Sequence, residues 1–179
     1  MNRMAAARLA CAALLPLLLG SSGDAPPEPE LRVKATFVFN FATFASWPVE
    51  KLGAGAPLYL CVQGAPAMGA MLAEVARGRD VGGHAIEVLQ APHAEALRRC
   101  HVVYVGARHD DAVAAELAAL AGHRVLSVHE AGAALPDGVI RLFLSDGRRV
   151  LFEVNTAAAA RAQVALSAKL LEVSQIVTR

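Results

Sequence analysis

Apolar positions are densest between residues 37 and 48, Phe-Val-Phe-Asn-Phe-Ala-Thr-Phe-Ala-Ser-Trp-Pro, which hold four of the six Phe and the only Trp. At about 100° per residue, Phe37, Phe41 and Phe44 share one helical face with Val33 a turn earlier. This predicts a helix from about Leu31 that packs that stripe into the core. Phe39 falls nearly opposite, beside Thr36, Asn40 and Thr43. Pro48 disfavours the α region at Trp47, so the helix should end near Ser46 with the indole at its exit. Phe39 and Trp47 are thus the aromatics set aside as candidate partner contacts.

Past a Gly/Ala/Pro loop (Gly53 to Pro57) the pattern changes to short continuous apolar runs separated by helical periods. Leu58 to Val62, Ala85 to Leu89, His101 to Val105 and Arg124 to Val128 read as strands. Helices are predicted at Met68 to Ala76 and Asp110 to Ala121, with a helical turn at His93 to Arg98. Buried-type strands alternating with helices argue for a mostly parallel sheet with helices on both faces, an α/β fold. In the last third, Val139 to Leu144 and Val150 to Val154 flank Asp146-Gly147, a strong hairpin signal. Asn155 is a good N-cap for a long closing helix from Thr156 to Val173. Within the hairpin, Arg141 and Glu153 are placed to pair across the strands, either as a solvated pair or as part of a polar patch that meets a partner.

The first 25 residues stand apart. Arg3 and Arg8 precede an apolar run from Leu9 to Leu19, and small residues follow up to Ala25. That is the layout of a cleavable secretory signal, and eleven apolar residues are too few to span a bilayer comfortably. Pro26 to Glu30 is a polar, extended leader. The expected organisation is therefore a signal peptide over 1–25, a flexible leader over 26–30 and one domain over 31–175. Signal removal takes two arginines and one aspartate from a chain whose net charge is +1, leaving it near neutrality. No cluster of basic and aromatic residues suggests nucleic acid. Cys61 and Cys100 remain, either bonded to each other in an oxidising compartment or buried as free thiols.

Catalytic chemistry leaves no signature. Gly64 to Gly69 sits where a phosphate loop would, but lacks the Gly-Lys-Ser/Thr ending and the dinucleotide glycine spacing. The six histidines show no i, i+4 ligand pair on a predicted helix, so they are assigned to turns. Ser167 and Lys169 point in different directions on a helix, and no nucleophile elbow occurs. The carboxyl ends of a parallel sheet still offer a crevice, which keeps a small-ligand-binding module as the alternative.

Four stretches together resemble the YfiR family of small periplasmic proteins. They are Lys34 to Pro48 with its Asn-Phe-Ala centre and Trp-Pro end, Leu60-Cys61-Val62 with Gly64, Cys100-His101-Val102-Val103-Tyr104-Val105, and Val139-Ile140 through Phe152-Glu153-Val154-Asn155 to Leu166-Ser167-Ala168-Lys169-Leu170-Leu171. The resemblance implies an α/β homodimer without catalysis or cofactor. It implies repression of an inner-membrane diguanylate cyclase through that enzyme's periplasmic sensor domain, with an OmpA-like outer-membrane lipoprotein as sequestering partner. Cys61 and Cys100 match the family's cysteines, and the resemblance implies a disulfide between them. The later cysteines of some relatives are missing here.

Overall fold

The computed structural model describes residues 28–90, 94–106, 109–130, 132, 135–145 and 149–177. The signal peptide expected over 1–25 and the Asp146-Gly147 turn lie outside these. The chain runs α1 (Glu28–Thr43), β1 (Ala45–Ser46), β2 (Leu58–Gln63), α2 (Pro66–Ala76), β3 (Asp80–Val81), β4 (His84–Gln90), α3 (Ala94–Leu97) and β5 (Val102–Val105). It continues through α4 (Asp110–Leu120), β6 (Leu126–His129), β7 (Ile140–Ser145), β8 (Arg149–Asn155), α5 (Thr156–Arg161), β9 (Ala165–Leu166), α6 (Ala168–Glu172) and β10 (Gln175–Val177). The main sheet has the order β10-β8-β7-β6-β5-β2-β4-β3. Pairing is parallel except at β7–β8 and β3–β4, so the fold is α/β with a mostly parallel sheet and a C-terminal hairpin.

Strand periodicity sorts the side chains onto two faces. Leu58, Leu60, Val62, Val102 and Tyr104 join α1 and α2 in one apolar cluster. Cys61, Val103 and Val105 join Val113, Leu117 and Leu120 of α4 in the other. At β2 and β5 both faces are covered by helices, which explains their continuous apolar runs.

Two expectations fail, each for a local reason. The helix begins at Glu28 rather than near Leu31, so the end of the expected leader is its first turn. Glu28 and Glu30 suit the positive end of the helix dipole there. The helix predicted over Thr156 to Val173 is two short ones. Gln163 takes φ 53°, which ends the helical run, and Ala165–Leu166 then pairs antiparallel with Ala45–Ser46. Asn155 caps α5 by accepting from Ala158 N–H at 3.0 Å, and Ser167 caps α6 by accepting from Leu170 N–H at 3.3 Å. Past α6 the chain adds β10, a parallel edge strand beside β8.

Candidate interaction site

α1 meets the protein on a different stripe from the one its phenylalanines suggest. Leu31, Ala35, Val38, Phe41 and Ala42 are buried, with Ala35 and Ala42 permitting close approach. Val33 and Phe44 are left 45% and 37% exposed, and Phe37 is half-buried. Phe37 and Phe41 pack on Phe152 of the hairpin, with ring centroids 5.7 and 5.0 Å away. The result is an apolar rim along α1 that faces outward.

Phe39, expected to face a partner, is 1% exposed. α2 covers that side of α1, and the Arg79 guanidinium sits 3.8 Å above the Phe39 ring. Phe39 is therefore a core residue under a cationic lid and offers no contact surface. Trp47 is half-buried. Its ring stands edge-on to His101 at 5.5 Å, and its indole nitrogen is buried without a hydrogen-bond partner.

His101, just ahead of β5, is itself buried, and it ties the loop before β2 to the sheet. Its Nδ1 accepts from Tyr59 N–H at 2.9 Å, and its Nε2 faces the Lys51 carbonyl at 3.0 Å. This pairing requires the neutral tautomer with the proton on Nε2. Burial lowers its pKa, and only the Lys51 carbonyl opposes. His129 is also buried, packed tightly against Gly138. Burial first, then the charge of Arg141, lowers its pKa to about 4.

Arg141 and Glu153 stand opposite each other in the hairpin register and form a two-pronged ion pair at 2.9 and 3.1 Å. Their side chains are only 18% and 10% exposed, so they satisfy each other inside the fold rather than form an open polar patch. Sequence reasoning missed a second buried network at the carboxyl ends of β5 and β6. Lys34 of α1 pairs with Glu30 at 2.6 Å and with Glu130, which also accepts from the Tyr104 hydroxyl. Burial pulls the Lys34 ammonium down, but the two carboxylates together hold it above the usual lysine value. Burial and then Glu130 push the Tyr104 hydroxyl up. Lys34 lies on the buried stripe of α1, a cation where the helical period calls for an apolar residue. That was the available signal.

Cys61 of β2 and Cys100, just ahead of β5, are joined by a disulfide, and each is 1% exposed. It lies on the α4 face between neighbouring parallel strands. Beside it Tyr59, Glu87, Leu89, Glu95 and Arg99 border a groove of about 540 Å³. The groove lies along the face of β4 on which Ala85, Glu87 and Leu89 are exposed. The crevice expected where strand order reverses, between β2 and β5, is closed by Gly106 N–H donating to the Gln63 carbonyl at 2.8 Å. Ala65 packs there so closely that a side chain on Gly106 would collide with it.

Among the described residues, no three His, Cys, Asp or Glu are grouped to hold a metal ion. No described helix is long and apolar enough to cross a membrane. Fold and site together define a small α/β module with a disulfide across its centre, an outward apolar rim and buried ion pairs within the fold. The chain belongs to the YfiR/HmsC-like family, which it matches over residues 31–175. The family is one of periplasmic regulators of diguanylate cyclase signalling. No curated protein matches the chain.

Proposed function

We propose that this protein is a non-catalytic periplasmic regulator, exported by a cleavable signal peptide over residues 1–25. It binds the periplasmic sensor domain of an inner-membrane diguanylate cyclase, represses the enzyme and lowers cyclic-di-GMP. The observation that carries the proposal is the family match over residues 31–175. The apolar rim of α1 and half-buried Trp47 supply contact surface consistent with it. An OmpA-like outer-membrane lipoprotein is the proposed sequestering partner, and the working form is a homodimer. Deleting the gene should raise cellular cyclic-di-GMP while its partner cyclase is expressed. An unchanged level under those conditions rejects the proposal.

A second reading, a small-ligand-binding module, is favoured by the groove beside Cys100, whose volume is in the range of ligand sites. Thermal-shift screening of the mature protein tests it, since a ligand held only by the folded state raises the midpoint.

A further inference from the structure

The amino ends of β2, β4, β5 and β6 all open on one side of the molecule, because these strands are parallel. The segments that enter them gather there, and they are basic. Lys51 lies in the loop before β2 and donates to the Arg98 carbonyl at 2.6 Å. Arg124, just ahead of β6, is close enough to add to the lowering of the Lys51 pKa, to about 8, that burial begins. Arg77 follows the last turn of α2, and Arg79 lies two residues on. The carboxylates in the same entering segments are Glu50, Asp80 and Glu95 of α3, and Asp80 is engaged by Gly83 N–H. The opposite end of the sheet carries Glu30 and Glu130, both paired with Lys34, together with Asp110, Asp111 and, on the hairpin, Arg149.

Helix C-termini attract cations, and that alone would account for basic residues at this end. It does not account for the apolar groups set among them. Val49 is 70% exposed, at the crest of a turn in which Lys51 and Leu52 N–H both donate to the Pro48 carbonyl, at 2.9 and 3.0 Å. Trp47 stands half-buried two residues before it. An exposed aliphatic tip, with a half-buried indole two residues before it and lysine and arginine in the neighbouring segments, matches the headgroup region of an anionic bilayer, where aromatic rings and basic side chains both partition. A projecting tip enters lipid without needing a preformed pocket.

We propose that this end of the sheet, centred on Trp47, Val49, Lys51, Arg98 and Arg124, docks on an anionic phospholipid surface. The proposal deepens the regulatory function and rests on it for setting: a repressor of an inner-membrane enzyme held at that membrane meets its target in two dimensions.

The test is co-sedimentation of the mature full-length domain with vesicles of phosphatidylethanolamine and phosphatidylglycerol, against vesicles of phosphatidylcholine alone. Binding is expected only to the anionic vesicles and should fade with added salt. Arg98→Glu and Val49→Asp, both at exposed positions, should each weaken it about tenfold. Arg149→Glu, with the same charge change on the hairpin at the other end, should leave it intact. Unchanged melting temperatures establish that the variants fold. Equal loss with Arg149→Glu, binding regardless of headgroup charge, or no binding overturns the proposal. If the wild type ignores the vesicles while Arg98→Glu abolishes repression of cyclic-di-GMP, the surface meets a protein instead. The membrane proposal then fails and the regulatory function stands.

Discussion

His129 shows most clearly how one buried side chain makes the fold sensitive to pH. It is neutral in the folded state, since burial and Arg141 oppose a proton there, with Glu153 and Asp110 offsetting only part of that. In the unfolded chain it binds a proton as pH falls below 6.5. A group whose folded pKa is depressed in this way favours the unfolded state progressively as pH drops from 6.5 through about 4. The full effect is about 3 kcal/mol. His101 is shifted in the same direction and adds to the loss. Urea midpoints of wild type and His129→Gln at pH 7 and pH 4 check this. The acid penalty should be smaller in the variant, and equal penalties would remove His129 from the account. The Lys34 network responds at the other extreme, because Lys34 and Tyr104 are both held above their ordinary values and lose their contribution only in strong alkali.

At the level of elements, strand and helix order was legible because period and turn chemistry agree along most of the chain. Leu58 to Val62 and His101 to Val105 could hardly be anything but buried strands. Faces were less legible. The phenylalanine stripe of α1 was assigned to the core on hydrophobicity, yet Ala35 and Ala42 decide which side approaches the sheet. Phe39 lies opposite that stripe but is buried because a second helix covers it, a tertiary fact absent from local spacing. The closing segment failed differently. The run Thr156-Ala-Ala-Ala-Ala-Arg-Ala-Gln-Val has strong helical propensity, and pairing with β1 outweighs continuing the helix past Gln163. Two caps, Asn155 and Ser167, hold the resulting pieces in place. Replacing Ser167 with alanine should cost about 1 kcal/mol. Asn155→Ala should cost more, because the side-chain nitrogen of Asn155 also donates to the Pro136 carbonyl at 3.2 Å. Chemical denaturation of both variants gives the ordering, and a reversed order would mean that the Pro136 contact adds nothing.

Over the whole molecule, the feature with the longest reach is the Cys61–Cys100 bond. It closes a loop of 39 residues that contains α2, β3, β4 and α3, and it ties β2 to the entry of β5 at the centre of the sheet. In the chain-entropy account such a loop stabilises by about 4 kcal/mol, acting through the unfolded state. That is a large share of the total for a domain of this size. Both sulfurs are buried, so a reductant reaches them only when the sheet opens. Two measurements follow from these facts. The Cys61→Ala/Cys100→Ala double variant should unfold at markedly lower denaturant, by about 4 kcal/mol in extrapolated stability. In the native protein, reduction by dithiothreitol should be slow and should accelerate with sub-denaturing urea, because opening of the sheet limits it. Rapid reduction independent of urea would show that the bond is reached without opening. The disulfide would then respond directly to the redox state of its compartment.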